Sequence, residues 1–131
     1  MKFRFPLDDL QKMPQLRYFM LQTTKIKDSM FQDSNFSKLV LPELEYLRFT
    51  GGLLTQIPKF PEAPKLRDVR FAYHPLEFIT PFAFDHLPSL ESLDLAGNGI
   101  NDTINILRSD TLSFKAKNFT KLGEHTLSMN F

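Results

Sequence analysis

The sequence predicts an α/β fold, a solenoid in which short parallel strands line a concave face and irregular or 3-10 connectors form the convex side. Three observations support this prediction. Apolar residues recur in the pattern LxxLxLxxNxI, copies of that pattern follow one another along the chain, and a proline precedes most copies. One such unit cannot bury its own apolar face, so a stable core requires several stacked units.

The best-formed copy of the pattern spans residues 90–100. Side chains alternate between the two faces of a short strand, so Leu93 and Leu95 are expected to point inward while Asp94 points to solvent. Asn98 is expected to turn inward, where its amide can satisfy backbone groups that the turn leaves unpaired.

Four further copies align on this template, and the last of them is degenerate. Their residues at template positions one, four, six, nine and eleven are Leu16, Phe19, Leu21, Thr24 and Ile26; Leu44, Leu47, Phe49, Gly52 and Leu54; Leu66, Val69, Phe71, His74 and Leu76; and Ser109, Leu112, Phe114, Lys117 and Phe119. The fourth position falls at residues 19, 47, 69, 93 and 112, which gives steps of 28, 22, 24 and 19 residues. We therefore predict one domain of about five repeats, near residues 16–43, 44–65, 66–89, 90–108 and 109–131, after a partial repeat over 1–15.

The connectors have a composition that suits the convex side. Pro14, Pro42, Pro64 and Pro88 each stand two residues before the first leucine of a copy, where the missing N–H interrupts no strand ladder. Residues 56–61 contain two further prolines and are expected to be extended rather than helical.

Composition argues against several functional classes. The net charge is only +1, so the electrostatic footprint of a nucleic-acid-binding protein is missing. No apolar run approaches the ~20 residues that a membrane helix needs, so we expect no membrane insertion. The sequence contains no cysteine nucleophile, phosphate-binding loop or nucleophile elbow, and the three histidines lack the spacing of a helical zinc site. We expect no enzyme activity, cofactor or metal.

Over residues 13–127 the chain resembles leucine-rich repeat proteins, and residues 83–88 with the full consensus that follows them are most similar to the extracellular, typical class. Residues 106–112 are similar to secreted arthropod repeat proteins related to the non-catalytic subunit of shrimp luciferase. This resemblance implies a binding or stabilising protein without chemistry of its own. The chain departs from the family where asparagine is expected, at Thr24, Gly52, His74 and Lys117, which predicts irregular curvature.

Both ends differ from those of a complete solenoid. Residues 1–6 lack the pattern of a signal peptide, and Phe3 and Phe5 match the inward positions of a further strand. Residues 127–131 are predicted to be a connector that stops before its next strand. Because the chain has no cysteine for the disulfide-bonded caps of extracellular repeat proteins, we expect an uncapped fragment of a longer protein.

Three asparagines, Asn35, Asn101 and Asn118, begin Asn-X-Ser/Thr glycosylation sequons. Occupied sequons would indicate an extracellular or cell-surface location, and we expect that location. The alternative is that these are unmodified surface asparagines of a cytoplasmic protein. The absence of cysteine favours a cytoplasmic location.

The outward strand positions are the candidate binding surface, because equivalent residues of adjacent strands lie side by side. They include all three tyrosines of the chain next to two arginines, and these residue types are enriched at the energetic centres of protein interfaces. The predicted partner-binding residues are Tyr18, Tyr46, Arg48, Arg70 and Tyr73. The alternative interpretation is a solvated face on which these side chains pack on one another.

The sequence therefore predicts a non-catalytic protein–protein interaction module of a secreted or cell-surface protein, which binds its protein partner through the concave face. An intracellular leucine-rich repeat adaptor or scaffold is the alternative. A structural role in a larger assembly is a third possibility.

Overall fold

A computed structural model describes residues 7–77, 84, 87–97, 118–121 and 127–130 of the chain, the last two segments as backbone. The described residues form six strands and three short helices. The strands are β1 (Tyr18–Gln22), β2 (Tyr46–Thr50), β3 (Asp68–Ala72), β4 (Ser92–Asp94), β5 (Asn118–Lys121) and β6 (Leu127–Asn130). The helices are α1 (Asp28–Gln32) and two 3-10 helices, Leu7–Lys12 and Phe36–Lys38.

The first four strands form a parallel sheet in chain order. Phe19 pairs with Leu47, Leu47 with Val69, and Val69 with Leu93, so residues at the fourth template position lie side by side. A four-stranded parallel sheet with few helices is compatible with the α/β class. The spacing of the copies along the chain therefore agrees with the register of the strands.

The apolar core lies on the inward side of this sheet. Leu47 and Phe49 of β2, Val69 and Phe71 of β3, and Leu93 of β4 are fully buried. The residues between them, which face outward, are only half-buried. Strand geometry imposes this alternation, so the inward set predicted for β2, β3 and β4 is confirmed.

Phenylalanine rings join the sheet to the connector between β1 and β2. The ring of Phe49 stacks on Phe71, with a centroid distance of 5.5 Å. It also makes edge contacts with Phe31 of α1 at 5.2 Å and with Phe36 of the second 3-10 helix at 6.1 Å. One buried ring therefore holds both short helices of this connector against the sheet.

The connector between β2 and β3 is built differently. Residues 51–67 contain no helix, which agrees with the extended conformation expected for residues 56–61. An isolated parallel bridge between Val40 and Glu62 links this connector to the preceding one. Leu41 and Glu62 take part in two backbone hydrogen bonds there, Leu41 N–H to Glu62 O at 2.9 Å and Glu62 N–H to Leu39 O at 3.0 Å.

A residue in the left-handed conformation directly follows β2 and β3, and another lies three residues after the end of β4. Gly51 has a φ of 77°, Tyr73 a φ of 61° and Gly97 a φ of 71°. These three residues occupy the eighth template position. The Gly51 N–H donates to Ala72 O at 3.0 Å, and the Tyr73 N–H donates to Ala96 O at 2.8 Å. The turn therefore has the same handedness in three successive copies.

The ninth template position, where asparagine is expected and which we call the ladder position, follows this turn and holds a different residue in each of the first three copies. Thr24 is exposed, and the neighbouring Thr23 Oγ1 accepts the Lys25 N–H at 3.3 Å. Gly52 and His74 are buried. Asn98 and Lys117 lie outside the described residues.

The C-terminal strands correct an expectation from the sequence. Leu127–Asn130, predicted to be a connector, is strand β6 and pairs antiparallel with β4, while β5 pairs antiparallel with β6. An antiparallel strand therefore stands beside β4 where the repeat pattern predicts a fifth parallel strand. The edge of β4 presents unpaired backbone groups that a strand of either direction can satisfy. The predicted inward residues Leu112 and Phe114 of the fifth copy, and residues 1–6 with Phe3 and Phe5, are outside the described residues. Phe119 of the same copy lies in β5, whose backbone alone is described.

Gly52→Ala is expected to lower the free energy of unfolding by about 2 kcal/mol, because the added methyl group overpacks the core. A Cβ at residue 52 would lie 2.5 Å from Ile26 Cβ, 2.8 Å from Ile26 O and 3.0 Å from His74 Cε1. Gly51→Ala is the matched control. A Cβ at residue 51 meets nothing within 4 Å, so the variant loses stability only through the left-handed φ of that residue. Urea denaturation measures both, and an equal cost for the two variants would contradict the steric role of Gly52.

Candidate protein-binding surface

The outward positions of β1 to β4 form two rows, which we call the outward face. The first row is Tyr18, Tyr46, Asp68 and Ser92, and the second row is Met20, Arg48, Arg70 and Asp94. The strand register brings the members of each row together, with about 4.8 Å between neighbouring strands. Two tyrosines thus begin the first row, and two arginines occupy the middle of the second.

Tyr18 of β1 contacts both Tyr46 and Arg48 of β2. The tyrosine rings are tilted with centroids 5.6 Å apart, and the Arg48 Cζ lies 5.6 Å from the centroid of the Tyr18 ring. Tyr18 is nevertheless 46% exposed. Because each side chain restrains the next, this cluster presents aromatic surface to solvent in a fixed arrangement.

Both arginines of the second row are paired with aspartates of the following strand. Arg48 Nε and Nη2 each lie 3.3 Å from Asp68 Oδ1. Arg70 Nε lies 3.0 Å from Asp94 Oδ2, but its N–H is not directed at that oxygen, so this contact is an ion pair without a hydrogen bond. Two positive and two negative charges therefore cancel on the outward face.

A charged network that the sequence analysis missed borders the outward face at the start of β2 and β3. Glu45 is mostly buried and accepts a hydrogen bond from Arg17 Nε, while Arg67 Nη1 lies 3.8 Å from its other oxygen. Arg67 Nη2 also donates to the Tyr46 hydroxyl at 3.2 Å, and its Cζ lies 5.5 Å from the Tyr46 ring centroid. The hydrogen bond to the hydroxyl and the cation–π contact with the ring together fix the orientation of Tyr46.

The same network explains two pKa shifts. The hydrogen bond from Arg17 holds the pKa of the Glu45 carboxyl below its usual value, and the reciprocal contact raises the pKa of Arg17. A sequence signal for this network existed. The second template position holds Arg17, Glu45, Arg67 and Glu91, whose charges alternate in sign from one copy to the next.

Tyr73 lies in the turn after β3, three residues beyond Arg70. Its ring covers Gly97, since a Cβ at residue 97 would overlap Tyr73 Cδ1 and would lie 2.7 Å from Cε1. The side chain is still 62% exposed. The structure thus joins Tyr18, Tyr46 and Arg48 directly, places Arg70 one strand further, and presents Tyr73 from the adjoining turn.

His74 has a structural environment. It is 3% exposed, its Nδ1 accepts the Leu54 N–H at 3.4 Å, and its Nε2 lies 2.8 Å from Phe49 O. A neutral imidazole protonated on Nε2 satisfies both contacts. Burial lowers the pKa of His74, against the raising effects of the Phe49 carbonyl and the Asp28 carboxylate. Both ring nitrogens are thus engaged in holding the backbone of the neighbouring copy.

A cleft of about 440 Å³ lies between α1 and residues 56–59. Phe31 and Phe36 line it, and both also contact the inward-facing Phe49, so the cleft lies beyond the core from the outward face. Lys59 is an exposed residue of its wall. A substitution at Lys59 therefore provides a control that is remote from the outward face.

The structure places the predicted glycosylation residues unequally. Asn35 is exposed and immediately precedes the 3-10 helix Phe36–Lys38. Asn118 is the first residue of β5, whose backbone alone is described, and Asn101 lies outside the described residues. Only the Asn35 sequon can therefore be assessed for accessibility.

The described part of the chain has neither a candidate metal site nor a candidate membrane-spanning helix. It contains no group of three or more His, Cys, Asp or Glu residues arranged to hold a metal ion. Within the same residues, no helix has both the length and the apolar character needed to cross a membrane. Comparisons with protein-family models, curated proteins and solved structures found no match to this chain.

Proposed function

We propose that the chain is a leucine-rich repeat module that binds a protein partner through its outward face. The register of β1 to β4, which aligns the template positions of four sequence copies, supports the repeat assignment. The observation that carries the binding function is the cluster of exposed Tyr18 with half-buried Tyr46 and Arg48, because it combines a large aromatic area with a guanidinium on adjacent strands.

The mutual contacts of this cluster favour binding for an energetic reason. A side chain that is already restrained loses less conformational entropy when a partner covers it. Arg48 is held by Asp68 and by the Tyr18 ring, and Tyr46 is held by Arg67. The outward face is therefore organised before a partner arrives.

The same contacts are compatible with a solvated face that binds nothing. The two interpretations differ in what happens when the cluster is removed. For a solvated face, the partly exposed pairs would contribute only about 0–1 kcal/mol of stability each and no affinity. For a binding surface, removal of the cluster lowers the affinity for the partner and leaves the stability of the fold largely unchanged.

The Tyr46→Ala, Arg48→Ala double variant is expected to lose affinity by about tenfold or more for ligands of the outward face, since hot-spot tyrosines and arginines have effects of this size. The ligands are random linear peptides displayed on phage and selected on the unmodified protein. Binding of each selected peptide is then measured by calorimetry with both proteins.

Lys59→Ala is the control for this experiment, because it alters the cleft beyond the core and leaves the outward face intact. Circular dichroism of the double variant establishes that its fold is retained. Selected peptides that bind the double variant as tightly as the unmodified protein would reject the outward face as the binding surface.

We further propose an extracellular or cell-surface location for the module. The exposed Asn35 sequon supports this, because a glycan requires an accessible asparagine in a secreted protein. The alternative is an intracellular adaptor or scaffold of the same repeat class, which would use the same outward face with unmodified asparagines.

A further inference from the structure

The backbone of Tyr73 adopts a conformation that L side chains rarely adopt. Its φ is 61°, in the left-handed region, where a Cβ crowds the following carbonyl oxygen. The equivalent residues of the copies on either side are Gly51 and Gly97, which accept this conformation without strain. Of these three copies, only the middle one places a large side chain at this point.

Burial does not account for the choice of tyrosine. At 62% exposure, Tyr73 is the most exposed large apolar or aromatic side chain in the described part of the chain. One face of its ring rests on Gly97, and the rest is accessible to solvent. A glycine would satisfy the turn better, so the fold alone gives little reason to keep a strained tyrosine here.

We infer that Tyr73 is a principal contact residue for the partner, and that it receives an uncharged, apolar side chain from a peptide segment of that partner. The inference rests on the proposed function, because it assigns the partner to the outward face. Tyr18 and Tyr46 begin β1 and β2, whereas Tyr73 directly follows β3, so Tyr73 lies beyond the opposite ends of the parallel strands. A partner segment that lies along the strands would reach Tyr73 with its far end.

Charge pairing defines the chemistry of that segment. Asp68 neutralises Arg48 and Asp94 neutralises Arg70, so the outward face offers no free charge to a strongly acidic or basic ligand from these pairs. Exposed tyrosine rings instead provide apolar contact area. Binding should therefore depend little on salt, in contrast to recognition driven by charge.

The experiment uses the phage-selected peptides with the unmodified protein and with Tyr73→Gly. The variant is expected to melt about 4 °C higher, because glycine relieves the left-handed strain, and to bind the peptides at least about tenfold more weakly. Tyr73→Asn, which also tolerates this conformation, repeats both measurements with a side chain present. Gly51→Ala is the control and should melt lower with unchanged affinity.

Each other outcome overturns the inference. A higher melting temperature with unchanged affinity shows that Tyr73 is strained but makes no contact. A lower melting temperature in both Tyr73 variants assigns the ring a packing role over Gly97. Selected peptides that are mainly charged, or whose affinity falls steeply with salt, overturn the apolar partner chemistry.

The failure of this inference can be distinguished from the failure of the proposed function. Peptides that lose affinity for the Tyr46→Ala, Arg48→Ala variant but not for Tyr73→Gly retain the outward face and reject Tyr73. Peptides that lose affinity for Tyr73→Gly but not for the double variant support the role of Tyr73 and place the binding surface at its turn. A selection that yields no peptide sensitive to either set overturns both proposals.

Discussion

Phe49→Ala should lower the free energy of unfolding by about 4 kcal/mol, the largest effect that we expect from one substitution. Phe49 is completely buried, and its ring contacts Phe31, Phe36 and Phe71 at centroid distances of 5.2, 6.1 and 5.5 Å. Removal of the ring leaves a cavity among groups from a neighbouring strand and two connector helices. These groups cannot collapse together, because each is fixed by a separate backbone segment.

Phe19→Ala is the matched control for this prediction. Phe19 also contacts the Phe49 ring, at 5.7 Å, but it lies on β1 and is only half-buried. Its removal should therefore cost clearly less, since a half-buried side chain loses less apolar contact. Urea denaturation measures the free energy of unfolding of both variants, and the comparison holds when the free energy depends on urea concentration with the same slope in both. Equal costs at residues 19 and 49 would show that Phe49 does not hold the connector.

His74→Leu should be the next most damaging change, with a loss of about 3 kcal/mol. Leucine fills much of the imidazole volume but leaves the Leu54 N–H and the Phe49 carbonyl without the contacts that His74 provides. His74→Asn should cost less, because an amide offers both a donor and an acceptor, as at the ladder position of the best-formed copy. Equal stability of the leucine and asparagine variants would contradict this role.

His74 should also make stability depend on pH. Because burial lowers its pKa in the folded state, the unfolded chain, with a pKa near 6.5, binds a proton more readily. The stability that His74 contributes is therefore complete above about pH 6.5 and falls as the pH decreases toward the lower folded-state pKa. Urea denaturation between pH 5 and about pH 8 tests this, with His74→Asn as the reference. Parallel pH profiles of the two proteins would refute it.

The pattern of apolar residues was sufficient to place β1 to β4 and the inward set of the middle strands. Leu47, Phe49, Val69 and Phe71 were predictable because strand alternation and the copy spacing both specify their faces. The role of His74 was also predictable, since its position in the template is that of the ladder asparagine. Alignment of the copies is therefore sufficient to predict the strands, their inward residues and the position of His74.

The candidate site was predictable only as a set of outward residues. Alternation shows that Tyr18, Tyr46 and Arg48 share a face, but not that Arg48 divides its contacts between an aromatic ring and Asp68. Side-chain rotamers decide such contacts, and the rotamers depend on neighbours from other copies. The network around Glu45 was missed for the same reason, although its alternating charges were visible in the sequence.

The C-terminal part shows the limit of the repeat pattern. A repeat predicts its own continuation, whereas a strand edge accepts hydrogen bonds from a strand of either direction. The choice of β6 beside β4 depends on a long-range pairing that no local pattern specifies.

The amino-acid sequence alone determines the period, the inward residues and the outward chemistry of this protein, because these follow from strand alternation and burial. The tertiary structure decides which charges are paired, where the strand pairing changes from parallel to antiparallel, and which turn holds a tyrosine in the left-handed conformation. These properties arise only when separate copies come into contact. Tyr73 shows the difference most clearly: its size is evident from the sequence, but its strain becomes apparent only beside Gly51 and Gly97.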